Sequence, residues 1–437
     1  MRRELAIALR APVTWLVAAV AALLVGHGFV LACDLFSASS RSALASTLQS
    51  REMDPLPGIV RPTLGGVGLA TALLGPLVAA RPLSMEKERG TYGALCLAEG
   101  SVLRVMANKA TAAVLAAGLL LIPSMVLLFA YRAVGGHLDL LETSVALGGE
   151  VLRLLVVVAA ALAGAAWTRT LAQAATVGIA ASLTSWAIDA AEGFAALAWL
   201  GGASTWSIER QLVPFGRGLM PVGPSLWLLT AAGTGFGLAW AGGSFVQRAE
   251  KKIRASLGVL VAGALVMTSA GPVRRAYDWT EGGRASLPPA VVEGLRSIPG
   301  RIELNVYLDR EDSRRRQAEA DTFQKLVLAR PDVTIHMPLD RQERPAEAER
   351  GEGYGRIVVR ASGGVRETRS TSRRELTTLI FEAAGRSLPD WSQPSYRGFP
   401  VVIEGARRGF LVALAYGAIP LAFLLIGLRL SQRRTVR

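Results

Sequence analysis

Two uncharged runs flank one charged phrase, and together they leave the chain little choice of environment. Residues 62–80 carry no ionisable side chain, and residues 110–131 carry only the Tyr131 phenol. Each run is close to the roughly 20 residues a helix needs to cross a bilayer. Between them stands Arg81-Pro-Leu-Ser-Met-Glu-Lys-Glu-Arg-Gly-Thr91. Mixed charge of this density cannot rest in hydrocarbon, so the phrase lies in water or against a partner. Gly90-Thr91 supplies a turn before a second helical stretch over residues 92–107.

Composition agrees with a membrane class. The chain is 51% hydrophobic over 437 residues, too apolar for an ordinary soluble protein. Its net charge is +14, and of its 48 basic residues all but Lys87, Lys109, Lys251, Lys252 and Lys325 are Arg. Basic loops beside spans are expected of membrane proteins, so this charge implies no nucleic-acid partner. Cys33 and Cys96 fall in different loops and make no disulfide framework. His27, His137 and His336 are scattered, with no metal-ligand spacing. Val30-Leu31-Ala32-Cys33 has the form of a lipoprotein cleavage box that would leave Cys33 lipidated. The apolar run before it, about 20 residues, is longer than a signal-peptide core and suits an uncleaved first helix.

Along the chain, a short basic helix over residues 1–10 precedes a first span at 12–32. Further spans are expected at 62–80, 110–131, 151–167, 171–188, 218–246, 255–273 and 409–428. Residues 33–61 and 132–150 read as loops. Arg153 stands near the end of the short fourth span, where it can snorkel to the interface. The semi-apolar stretch 189–217, with Trp199 and Trp206 beside charges, reads as a re-entrant or interfacial hairpin. Residues 274–408 change character. Strands at 302–308 and 333–337, a helix at 313–330, a hairpin pairing 355–362 with 365–371, and a helix at 373–386 make a small α/β domain. A Pro/Ser linker at 388–397 follows.

The expected fold is therefore an α-helical polytopic membrane protein of about eight transmembrane helices with one small α/β extracytoplasmic domain. It divides into a six-helix membrane domain (1–254), a seventh helix (255–273), the α/β domain (274–408), and an eighth helix with a basic tail (409–437). An even number of spans puts the basic short segments on one side, which the positive-inside rule makes cytoplasmic. Both termini then lie in the cytoplasm.

Particular phrases resemble a known family. The N-terminal Arg-Arg-Glu-Leu, Gly75-Pro-Leu-Val-Ala-Ala-Arg81 running into Glu86-Lys-Glu-Arg-Gly-Thr91, Asn108-Lys109, and Phe215-Gly-Arg-Gly218 make the first two-thirds similar to ABC-2 type transporter permeases. This part looks most similar to the permeases of gliding motility and nitrous-oxide-reductase maturation. The family's Gly–Lys at the third span reads Asn108-Lys109 here. From residue 255 onward the chain resembles the gliding-motility auxiliary component, on Asp278-Trp-Thr-Glu-Gly-Gly-Arg-Ala-Ser-Leu-Pro288 and Glu375-Leu-Thr-Thr-Leu-Ile380. That likeness is to a shortened form, lacking the longer second α/β section.

The resemblance implies a permease subunit in the bacterial cytoplasmic (inner) membrane, paired with a second permease copy or a sister permease. It implies an outer domain facing a cell-envelope partner. No Gly-Lys dipeptide occurs anywhere, so no Walker A loop exists. An ABC ATPase must then be a separate chain, and no catalytic residue or cofactor is expected here. Glu86, Lys87, Glu88, Arg89, Gly90 and Thr91 would dock that ATPase. Asp189, Glu192, Glu209 and Arg210 admit two readings, an outer gate or an interfacial loop in water. The contrasting view of the whole chain is a non-transporting membrane anchor that presents its outer domain to envelope partners.

Overall fold

The computed structural model describes residues 2–191, 203–244, 248–309, 312–340, 353–391 and 396–432. The chain forms two compact units. One comprises residues 1–273 with 397–437, and the other 274–396.

Seven described helices are long and apolar enough to cross a membrane: Pro12–Ala43, Leu56–Glu88, Val102–Ala133, Leu140–Trp167, Leu171–Ala191, Ala249–Ala270 and Gly405–Gln432. The protein is a multi-pass membrane protein. We label the first unit's helices α1 (Arg2–Leu9), α2 (Pro12–Ala43), α3 (Arg61–Ala79), α4 (Arg81–Glu88), α5 (Tyr92–Glu99), α6 (Val102–Ala133), α7 (Leu140–Trp167), α8 (Leu171–Ala191), α9 (Ile208–Leu212), α10 (Val222–Gly243) and α11 (Ala249–Ala270). α10 has 22 residues and no ionisable side chain.

α7 is the packing centre, touching α3, α6, α8 and α10. Helices in lipid gain little from apolar contact alone, so small residues that admit close approach decide the seams. A Cβ on Gly235 of α10 would come within 2.7 Å of Ala159 on α7. Trp167 donates from Nε1 to the Leu238 carbonyl at 3.3 Å. These pairs run in the same order along both chains, so α7 and α10 are parallel and their C-terminal ends lie together.

Several expected boundaries move. The first span continues to Ala43, and Cys33 lies buried inside it rather than in a loop. The expected loop 132–150 ends early, because Asp139 caps α7 by accepting the Glu142 amide at 2.8 Å. Arg153 therefore sits in mid-helix and does not snorkel. The single helix expected over 92–107 is broken, because Gly100 adopts φ +65° and Ser101 caps a new start.

The last span, α15 (Gly405–Gln432), packs antiparallel on α2. Arg408 grips Asp34 through two bonds of 2.7 and 2.9 Å. His27 Nδ1 meets the Tyr416 hydroxyl at 2.9 Å, and Trp15 lies 6.0 Å from the Phe423 ring. Residues 397–404 belong to this unit and run along α2. Val401 and Ile403 donate their amides to Ser40 and Ser37 at 3.1 and 3.0 Å.

The second unit carries a sheet of β1 (Glu303–Val306), β2 (Thr334–His336), β3 (Ile357–Ala361) and β4 (Gly364–Thr368), in the order β2-β1-β3-β4. β1 pairs parallel with β2, Leu304 opposite Ile335, and antiparallel with β3, Leu304 opposite Val359. Helices α12 (Pro289–Ser297), α13 (residues 313–329) and α14 (Arg373–Ala383) complete it. Leu304, Val306, Ile357 and Val359 point into a core with Leu295, Leu326, Ile380 and Phe381. The buried Arg330 guanidinium donates to the carbonyls of Leu295 and Ile298 at 2.8 and 2.6 Å, closing the end of α12.

Beyond β1, Asp312 takes two bonds from the Arg314 guanidinium and one from the Tyr354 hydroxyl. The Arg314 bonds hold its carboxyl at about 2, below the usual range. A depressed carboxyl stabilises the fold above its unfolded value of 3.8 and loses that contribution as pH falls toward 2. The site is open to water, so the effect stays below about 1 kcal/mol. Hydrogen exchange at the Gly355 amide, which is bonded to Tyr307 at 2.8 Å, should quicken across that window. Asp312→Asn should abolish the pH step.

Candidate functional site

Two clusters of ionisable residues occupy the membrane unit. The first surrounds the charged phrase. α4 is a helix, and its charges turn inward as much as outward. Lys87 donates to the carbonyls of Ala165 and Ala166, both at 2.8 Å, and to that of Thr168. These are orphan acceptors at the negative end of α7. Glu88 accepts the Leu171 amide at 2.7 Å, capping the positive end of α8. Tyr92, the first residue of α5, donates its hydroxyl to the Gly243 carbonyl at 2.6 Å, at the end of α10. Glu86 accepts from Thr91 and lies 3.5 Å from Lys109. Lys109, 1% exposed, bonds Glu4 of α1 at 2.6 Å.

The turn itself faces out. Glu88, Arg89, Gly90 and Thr91 are exposed, and Gly90 takes φ +71°, where a side chain would be strained. Beside the turn, Leu97 on α5 and Leu103 in the first turn of α6 are 73% and 62% exposed. The phrase is thus a staple holding three helix ends, with a charged and apolar outer face.

The second cluster lies deep in the bundle. Arg153 of α7 is 3.1 Å from Glu150 and 3.0 Å from Glu209 of α9. Glu209 also accepts from Ser185 of α8 at 2.6 Å, and Ser185 accepts the Ile208 amide at 2.8 Å. Asp189 accepts from Ser207 at 3.1 Å, and Ser207 caps α9 by accepting the Arg210 amide at 3.0 Å. On α3, a Cβ at Gly68 would press within 3.2 Å of the Arg153 guanidinium, so the glycine makes room for it. Arg153 lies 14 residues from the staple end of α7, about 21 Å along the axis.

Of the residues singled out in the sequence, Asp189 and Glu209 join this cluster through α8 and α9. Arg210 contributes its amide to the α9 cap. Glu192 lies outside the described residues. Glu150, Ser185 and Tyr92 were not singled out, Arg153 was read as snorkelling at a span end, and Lys109 was read only as part of the Asn108-Lys109 phrase. The Asp139–Glu142 cap was the signal that would have placed Glu150 and Arg153 deep in a helix. Among the described residues no group of His, Cys, Asp or Glu could hold a metal ion.

No family model, curated protein or solved structure matches this chain.

Removing the staple lysine should be costly. Lys87→Met strips the donor from three carbonyls and should lower stability by roughly 2–4 kcal/mol, read as a lower unfolding midpoint in detergent. Arg153→Met strands the buried Glu150 and the half-buried Glu209 and should cost about 3 kcal/mol. Adding Glu150→Gln and Glu209→Gln to Arg153→Met should restore more than half of that loss.

Proposed function

We propose that the chain is the permease subunit of an ABC-2 type transporter and takes its driving force from a separate ATPase at the staple. The observation that carries this reading is mechanical. One short element grips the ends of α7, α8 and α10 through Lys87, Glu88 and Tyr92, and leaves Arg89–Thr91, Leu97 and Leu103 outward. A push on that outer face is delivered to three helices at once. The family phrase at Glu86–Thr91 supports the same assignment.

Eight crossings, with α10 counted among them, bring both termini to one side. The antiparallel seating of α15 on α2 supports that parity. Arg10, Arg89, Arg169, Lys251, Lys252 and Arg254 gather toward the staple side, which is the cytoplasmic side by the positive-inside rule. On this topology the Arg153–Glu209 cluster lies well toward the outer face. There it acts as the outer gate, a polar latch between α7, α8 and α9. The unit formed by residues 274–396 faces the envelope.

The structure sharpens the test of docking. Replacing Glu86–Glu88 disturbs the bundle itself, so Arg89→Ser with Leu97→Ser and Leu103→Ser is the informative variant. It should keep the wild-type unfolding midpoint and lose at least tenfold in ATPase co-purification, as expected when anchors worth more than about 1.4 kcal/mol are removed. Undiminished association at normal stability would exclude this face and favour the non-transporting anchor.

A further inference from the structure

A cleft of about 550 Å³ opens between the end of α6 and the start of α15, lined by Ala133, Val134, Gly135, Ala406, Arg407 and Phe410. Its walls are mostly apolar, and Phe410 is 51% exposed. Gly135, at φ +100°, turns the chain away at its rim and lies about 3.9 Å, by its would-be Cβ, from the Arg407 guanidinium.

The charges around the cleft are unequally used. Arg408 is bound to Asp34, and Arg132 donates to the Leu138 carbonyl at 2.9 Å. Arg407 makes no hydrogen bond or ion pair among the described residues. An exposed, unpaired guanidinium beside an apolar slot has a defined chemical complement: an anion attached to hydrocarbon.

Depth supports the same complement. α15 has 28 residues, about 42 Å of helix, which matches a bilayer of about 40–45 Å with its headgroups included. Arg407 is in the first turn of that helix, so its guanidinium sits at headgroup level and Phe410, one turn on, at the acyl boundary. A zwitterionic headgroup would bring its own cation against Arg407 and Arg132, whereas a net-negative one would not.

We propose that this cleft holds one anionic phospholipid, its phosphate on Arg407 and an acyl chain against Ala133, Ala406 and Phe410. Only about a third of the most apolar stretch of α15 is buried, and the helix seats mainly on α2. The lipid would fill the wedge between α15 and α6 and hold the last span to the bundle.

Native mass spectrometry of the full chain in detergent, titrated with phosphatidylglycerol or with phosphatidylcholine of the same acyl chains, tests this. Wild type should retain one phosphatidylglycerol at least tenfold more tightly than phosphatidylcholine, the scale of one charge-assisted contact. Arg407→Gln should erase that preference, and Ala406→Trp, which fills the slot and keeps the charge, should expel the lipid. Equal retention of the two lipids by wild type would overturn the proposal without recourse to any variant. So would competition by glycerol phosphate at the same concentration, which would make the site one for a free phosphate. Undiminished retention by both variants, with wild-type helical content by circular dichroism, would place the lipid elsewhere.

Discussion

The ammonium of Lys87 on the end of α7 is the contact on which the bundle's geometry turns. α7 and α10 lie side by side and parallel, so their negative ends meet at one face of the bundle. Parallel dipoles repel, and terminal carbonyls in a poorly solvated place lose their hydrogen bonds. The chain answers at each end separately. Lys87 covers α7, and Tyr92 covers α10 from α5, the helix that follows α4. Glu88 adds the opposite charge where α8 begins, at a positive end. The order Lys87-Glu88 suits this arrangement of helix ends, because each of these two charges meets the terminus of opposite sign, while Glu86 faces Lys109. A loop that only solvated itself would have no need of that order.

The same helix carries its second constraint in its middle. Arg153 is shared between Glu150 of its own helix and Glu209 of α9, in surroundings that exact a large desolvation cost for any unpaired charge. Holding three ionisable groups there gives little net stability, but the pairing is directional and admits one register. Since α7 is pinned at its end by α4 and in its middle by α9, it cannot slide or rotate at one site without straining the other. On the proposed function, α7 is the element that would carry a displacement at the staple to the deeper cluster. Gly68 belongs to the same device, because a side chain there would press on the guanidinium.

Much of the architecture was legible in the sequence, for reasons that also explain where it failed. Uncharged runs of about 20 residues mark spans through one strong physical requirement, and the α/β unit's alternating strands with a turn at Gly363-Gly364 mark the β3–β4 hairpin. Span ends were less legible, because hydropathy stops at the first charge while a helix does not. Read by hydropathy, Glu150 and Arg153 truncate a span, yet they lie inside α7, where Arg153 pairs with Glu150 and Glu209. The charged phrase was identified as the critical element, but its charges were expected to face a partner. Lys87 faces carbonyls about 80 positions away in sequence, and no local pattern encodes that. Leu97 and Leu103 had no signal either, since an exposed leucine and a buried one are the same letter.

The two ends of the chain reveal a further economy. α15 meets α2 through Asp34 with Arg408, His27 with Tyr416, and Trp15 with Phe423, contacts whose sequence numbers rise on one helix as they fall on the other. Helices so paired begin and end on opposite faces, so an odd number of crossings between N- and C-terminus would leave this pairing impossible. α10, with 22 residues and no ionisable side chain, is the helix that the proposed eight crossings need in order to make the number even. Gly235 brings it close to Ala159 of α7 and Gly237 to Val259 of α11, and α11 answers with Gly263 against Thr234 of α10. Small residues on α10 and its neighbours thus seat it against protein on two sides, through close backbone approach rather than through bulk.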